Sequence, residues 1–347
     1  MNCYLVLRFR SLGNVAMSVP LLSSLAQGYA SAHFVVATEK DLSALYYGLD
    51  NVQVYTLKRK DGLDVLMLCR QLKKRYGTVE IVDLQGNASS RSICRLAQLM
   101  GVRNVVIDNE RWKKLRLCVR GYCRSRALTK EIERYRQTFC RAGLESDICF
   151  ETLPVNKEAQ RCVEDKYGKK QGFRIGIAPF AKRRTNRLPY SVMREVIWHY
   201  AQQEGTHVYL FGAGRVETEM LQQWASIFPN TSSVAGQLSL GEELELMRTL
   251  DSMLCMDSAN QHLAALVKLP VLSVWCGTHP YAGYGAYRQS EEHIMQRKLS
   301  CRPCTVNGRE QCRYRNFLCK EFRAEEIAAR IDDLISPFST GEEDRDE

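Results

Sequence analysis

At 347 residues, with 45% hydrophobic and 25% charged side chains, the chain is long enough for two domains with separate cores and reads as a soluble globular protein. Its longest apolar runs fall well short of the roughly 20 residues that cross a bilayer, which excludes a transmembrane helix. A net charge of +10 favours anionic partners, whether nucleotide phosphates, a phosphorylated glycolipid, an anionic membrane surface or a nucleic acid, and most of the fourteen cysteines lie singly in apolar segments as small hydrophobes.

Residues 3 to 9 form a first strand, and the charged Arg8 and Arg10 beside Gly13 mark it as a strand rather than a signal peptide, so a cytoplasmic location is expected. Arg8 to Asn14 turns into a helix from about Val15 to Gln27, and a glycine there lets backbone approach a ligand closely. A strand at His33 to Ala37, a short helix near Leu42 to Tyr47 and a strand at Val52 to Tyr55 follow. A basic helix over Leu63 to Tyr76 leads to a strand at Val79 to Leu84, which ends in Gln85-Gly86-Asn87. The helix from Ser90 to Met100 and the strand Val102 to Ile107 continue an alternation that means a parallel α/β sheet.

Arg111 to Lys130 breaks the pattern by mixing basic residues with Trp112 and aliphatics. It reads either as a patch for lipid headgroups or phosphorylated sugars, or as a solvated helix face. A helix over Glu131 to Ala142 and a link at Leu153 to Gln160 close the first half.

The second half restarts the plan with a strand at Phe173 to Pro179, a basic loop from Phe180 to Pro189 and a helix to Gln203. The strand His207 to Phe211 meets Gly212-Ala213-Gly214, a weak dinucleotide signal without its third glycine or a downstream acid. Ser239-Leu240 opens a helix from about Glu242 to Leu250. The apolar run Ser252 to Met256 then stops at Asp257-Ser258, a small-residue helix begins, and Pro270 introduces a strand ending at Trp275. A helix N-terminus carries free N–H groups and about half a positive charge, so this βαβ unit suits phosphates. Asp257 can cap the helix or accept sugar hydroxyls, Ser258 can donate to a phosphate, and His262 lies one turn on; the plainer reading is an N-cap above a satisfied histidine.

Four motifs in order resemble the ADP-heptose:lipopolysaccharide heptosyltransferase family over nearly the whole chain, from Leu5 to about Phe322. They are Arg8-Phe9-Arg10-Ser11-Leu12-Gly13-Asn14 with Pro20 in the following helix, Asp83 to Asn87, the loop Phe180 to Pro189, and Asp257 to Ala265. The resemblance implies a GT-B architecture, two Rossmann-like α/β domains with parallel sheets facing across a central cleft. Residues 1–158 would bind the acceptor and 159–322 the nucleotide sugar, with a closing helix at 323–336 and a disordered acidic tail at 337–347.

The implied reaction is an inverting transfer of heptose or a related sugar from a nucleotide donor, ADP-heptose first, to a lipopolysaccharide core or related glycolipid. It would need neither metal nor cofactor, act peripherally on the inner membrane and involve no nucleic acid. Ser258 and the backbone at Ala259 can meet the donor diphosphate, Lys182, Arg183, Arg184 or Arg187 can reach it from the facing loop, and His262 joins the donor site; by resemblance Glu217 would hold the ribose, Leu238 would pack on the base and Asp257 would touch the donor sugar. Asn186 occupies the place of a phosphate-binding lysine. Acceptor contacts would come from Arg8, Arg10, Ser11, Gly13, Trp112, Lys113 and Arg116.

Where the family has its aspartate base this chain has Asn14, and an amide accepts no proton at neutral pH. Either another carboxylate serves, with Asp83 the first candidate although it also reads as a turn-forming acid, or the protein is a slow or non-catalytic relative that binds without efficient turnover. Cys301, Cys304, Cys312 and Cys319 have a zinc-like spacing; thiol packing, a disulfide and a metal are all compatible with it.

Overall fold

Runs of apolar residues, rather than alternating ones, make up most strands, as a parallel sheet covered on both faces requires. The computed structural model describes residues 2–57 and 62–339, with backbone alone at 336–339. The chain divides into two compact units, residues 1–111 with 129–156 and residues 112–128 with 157–347.

The first unit runs β1 (Asn2–Leu7), α1 (Leu12–Gly28), β2 (His33–Thr38), β3 (Val52–Thr56), α2 (Gly62–Tyr76), β4 (Thr78–Asp83), α3 (Ala88–Leu99) and β5 (Arg103–Val106). After α4 (Arg111–Arg120), which passes into the second unit, it is completed by α5 (Glu131–Arg141). Its sheet is wholly parallel in the order β3-β2-β1-β4-β5. The connection direction reverses between β1 and β4, so the turns after Leu7 and Asp83 emerge side by side at the topological switch point. Helix α1 is buried along its length from Val15 to Ala26, which explains its apolar, weakly amphipathic sequence.

The second unit runs α6 (Lys157–Tyr167), β6 (Phe173–Ala178), α7 (Tyr190–Ala201), β7 (Thr206–Leu210), α8 (Arg215–Ile227), β8 (Thr231–Ser233), α9 (Leu240–Arg248), β9 (Ser252–Met256), α10 (Ala259–Leu266), β10 (Val271–Trp275), β11 (Ile294–Gln296) and α11 (Ala324–Ser339). This sheet is also wholly parallel, in the order β11-β10-β9-β6-β7-β8, and its switch point lies between β6 and β9. Its core joins Ile175, Val208, Leu254 and Val274 from the strands to Met193, Ile197, Leu221 and Ile331 from the helices. Burying each such side chain stabilises the fold by about 1.5–3 kcal/mol.

Several boundaries differ from the sequence expectation. The short helix expected near Leu42 to Tyr47 is a 3₁₀ segment over Lys40–Tyr46. Helix α6 starts inside the expected link, because Ala159 and Val163, four residues apart, give it a buried face. The strands β8 and β11 are three residues each, too short for a periodicity to show. Helix α11 continues to Ser339, beyond its expected end at 336, and residues 340–347 of the expected tail lie outside the described residues. No helix among the described residues is long and apolar enough to cross a membrane.

Candidate functional site

The second unit's switch point places the loop after β6 beside the turn after β9, the position at which open α/β sheets hold ligands. Asp257 immediately follows β9 and is half-buried there. Its Oδ2 accepts from Thr278 Oγ1 at 2.6 Å and from Asn186 Nδ2 at 3.4 Å, and its Oδ1 accepts from Gln261 Nε2 at 3.2 Å. Burial pushes its pKa up to about 6, although the hydrogen bonds from Thr278 and Gln261 and the charge of Arg302 pull the other way.

Ser258 is the N-cap of α10, yet its side chain makes no capping bond, and its buried Oγ has no partner. A buried hydroxyl is normally satisfied, and this one stands at a helix N-terminus where the N–H groups of Ala259 and its neighbours are free of intrahelical acceptors. One turn on, the Nδ1 of the buried His262 is likewise without a partner, and burial lowers the ring's pKa to about 4, so the imidazole is neutral. Two unsatisfied polar atoms on one helix face are what an anionic, hydrogen-bonding ligand would use.

Three loops are laced around this turn. Thr185 N donates to Arg309 O at 3.0 Å, Arg309 N to Thr185 Oγ1 at 2.8 Å, Gly277 N to Thr185 O at 2.9 Å and Cys304 N to Gly277 O at 2.7 Å. Gly308, at φ +77°, lies against Asn186 so closely that a Cβ would fall 2.4 Å from its Oδ1. Arg302 is fully buried and donates to the carbonyls of Trp275, Thr278 and Arg297 and to Gln296 Oε1. Its guanidinium therefore fixes the 275–278 turn that brings Thr278 to Asp257. Neither Arg302 nor Thr278 carries a local signal in the sequence. Gln261 does, standing four residues after Asp257 on the same helical face.

Within the basic loop the side chains diverge. Arg183 pairs with Glu310 at 3.1 Å, Arg184 lies 5.7 Å over the Phe317 ring, and Arg187 donates to Ala181 O and faces Glu217 at 3.8 Å. Lys182 is exposed. Asn186 is buried in the loop frame, and its Nδ2 donates to Asp257 Oδ2. Glu217, in the first turn of α8, accepts from Ala213 N at 3.1 Å, and Leu238 is half-buried just before the capping box that opens α9 at Ser239.

In the first unit, the turn after β1 carries the residues expected to meet an acceptor. Arg8 is buried, donating to Leu84 O at 3.0 Å and Gln85 Oε1 at 3.3 Å, which ties the two switch-point turns together. Arg10 is exposed and faces Glu39 at 3.7 Å. The left-handed residue of this turn is Ser11, at φ +74°, while Gly13 lies inside α1; the close approach expected from a glycine therefore falls two residues earlier. Asn14 is half-buried in the first turn of α1.

Asp83, the candidate base, is built into the turn after β4. It is fully buried, its Oδ1 accepts from Gln85 N and Gly86 N at 2.9 Å each, and its Oδ2 accepts from Ser90 Oγ at 2.7 Å. Burial raises its pKa against these bonds. Both oxygens thus accept from its own turn, which is the turn-forming role the sequence also allows.

Trp112, Lys113 and Arg116 lie on the exposed side of α4, in the segment that clusters with the second unit. That segment is tied there by Lys114 Nζ to Tyr284 Oη at 2.9 Å, by Tyr122 N to Arg302 O at 2.9 Å, and by the Tyr122 ring stacked on His279 at 4.1 Å. Cys301, Cys304, Cys312 and Cys319 are free thiols, with Cys319 packed in the core. Among the described residues no three His, Cys, Asp or Glu side chains converge as metal ligands.

Comparisons with known proteins agree with this geometry. A family model described as glycosyltransferase family 9 (heptosyltransferase) matches residues 65–315. The fold is similar to that of a family 9 glycosyl transferase from Veillonella parvula, with a TM-score of 0.74, 14% identity and coverage of 96% of this chain and 97% of that one. It is similar to ADP-heptose lps heptosyltransferase II from E. coli, with a TM-score of 0.71, 15% identity and coverage of 98% and 100%. The E. coli heptosyltransferase WaaC, whose structure contains ADP, matches with a TM-score of 0.63, 16% identity and coverage of 96% and 99%. Among curated proteins none matches the sequence. The two parallel α/β units are thus those of a GT-B fold.

Proposed function

The chain belongs to glycosyltransferase family 9, the heptosyltransferases, and from that premise we propose that it transfers heptose or a related sugar from ADP-heptose to a lipopolysaccharide core-type acceptor. Solved structures of similar fold with bound ADP and with an ADP-linked fluoro-heptose support a nucleotide-sugar donor. The observation that carries the reading is the unsatisfied Ser258 hydroxyl at the head of α10, beside Asp257.

In this reading the donor diphosphate meets Ser258 Oγ, the first N–H groups of α10 and the ammonium of Lys182, while Asp257 accepts from donor-sugar hydroxyls. Glu217 and Leu238 take the ribose and base. An acceptor hydroxyl attacks the anomeric carbon with inversion, the bond to the nucleoside diphosphate breaks, and the hydroxyl proton passes to the departing diphosphate or to water, since the amide of Asn14 accepts none. Donors preorganised where charge accumulates on the leaving group are the main protein contribution to such a step. The acceptor is lipid-linked, so the enzyme works peripherally at the inner membrane. The test is turnover: purified protein with ADP-heptose and a lipid A–core acceptor releases ADP, and calorimetry that detects no uptake of any ADP-, GDP- or UDP-sugar rejects the reading.

A second reading is favoured by Asn14 together with the internally committed Asp83: a protein that binds the donor but turns it over poorly. General-base assistance contributes about 10²–10⁴-fold in rate. Asn14→Asp is expected to raise ADP release by a factor in that range, measured by single-turnover kinetics, and an unchanged rate rejects the missing base as the cause.

A further inference from the structure

Helix α4 presents two unlike faces. On one, Leu117 is buried and Lys114 reaches Tyr284 within the second unit. On the other, Trp112, Leu115 and Val119 are 80%, 53% and 74% exposed. At 100° per residue these three fall within about 60° of one another, opposite Leu117. Lys113, Arg116 and Arg120 lie along one flank of the stripe, all exposed, and Arg124 and Arg126 follow it, also exposed. From residue 111 to 130 the sequence has no acidic residue. An outward apolar stripe on a surface helix is explained neither by the core nor by solvation.

We propose that α4 lies in the plane of an anionic lipid bilayer, with Trp112, Leu115 and Val119 inserted at the headgroup–acyl boundary and the flanking cations against lipid phosphates. The composition fits that occupant: an indole at the interfacial depth, short aliphatics behind it and basic side chains alongside. A second copy of the chain fits worse, because an isologous contact would set each basic flank against its equal. A folded protein partner needs about 800 Å² per side, more than three side chains of one ten-residue helix supply. The inference deepens the membrane part of the proposed function by naming the surface, and it stands or falls separately from the transfer chemistry.

The experiment is flotation of the purified full chain with vesicles of phosphatidylcholine alone and of phosphatidylcholine with phosphatidylglycerol, with ADP affinity measured on the same samples. Wild type is expected to float with the anionic vesicles only, and less as salt is raised. Leu115→Asp with Val119→Asp is expected to weaken binding at least about tenfold. Arg120→Glu with Arg124→Glu should do so by at least about twentyfold, at about fivefold per basic side chain near the surface. All four positions are exposed, so ADP affinity should not change. No flotation of wild type, or flotation indifferent to both variants, overturns the proposal. So does wild-type self-association that the same variants disperse. Vesicle binding without ADP uptake leaves it standing and removes the transfer reading instead.

Discussion

Ser258→Ala should move stability and binding in opposite directions. In the free protein the Ser258 Oγ is buried without a partner, and an unsatisfied buried hydroxyl costs about 1–3 kcal/mol. The alanine removes that cost and keeps the small N-terminal residue α10 requires. A gain of about 1 kcal/mol, the lower end, corresponds to a rise in melting temperature of roughly 2–4 °C for a unit of this size. With ADP bound, the hydroxyl would donate to a charged oxygen, a bond worth about 1.5–3 kcal/mol, so the variant should bind ADP about 10- to 150-fold more weakly. Thermal melts with and without saturating ADP test both effects: the variant melts above wild type when free, and wild type gains more from the ligand. A variant that melts lower when free and binds ADP as tightly as wild type would refute the assignment of Ser258 to the phosphates and restore the ordinary capping role.

The carboxyl of Asp257 titrates near 6 against an ordinary 3.8, so the folded state holds its proton more tightly than the unfolded chain. Its contribution to stability is full below about pH 4, is lost as pH climbs to about 6 and is level above that; denaturant midpoints across this range should show the slope in wild type and not in Asp257→Asn. Arg302→Lys replaces a fork donating to Trp275, Thr278, Arg297 and Gln296 with a single ammonium, and should destabilise the second unit by about 3–5 kcal/mol, read by urea unfolding; a change within about 0.5 kcal/mol would mean that the 275–278 turn holds itself. Gly308→Ala puts a Cβ 2.4 Å from Asn186 at a left-handed φ and should cost about 1–3 kcal/mol, with donor affinity falling as Asn186 is pushed toward Asp257; calorimetry with ADP-heptose that matches wild type would detach the cysteine-rich loop from the site.

All strands but β8 and β11 are legible in the sequence because parallel strands buried on both faces are continuous apolar runs, and the strand order then brings the stops at Leu7 and Asp83 together in one unit and those at Ala178 and Met256 in the other. What the polar residues at those stops do is not legible in the same way. Asp83 and Ser258 look alike in sequence, each a small polar group where a strand gives way to a helix, yet one is bonded within its own turn and the hydroxyl of the other is left with no partner. The difference lies in whether neighbouring groups consume their hydrogen-bonding capacity. For Asp83 the consumers are local, Gln85, Gly86 and Ser90, within reach of a turn rule. For Asp257 they come from Gln261, Thr278 and Asn186, and Thr278 is in turn set by Arg302, so its environment depends on three loops that meet only after the sheet has formed. The same cause hides the partner of 112–128, whose basic pattern is visible in the sequence while its ties to Tyr284, His279 and Arg302 are not. A polar side chain available to a ligand is therefore one that the assembled loops leave unpaired, and the buried hydroxyl of Ser258 is such a group.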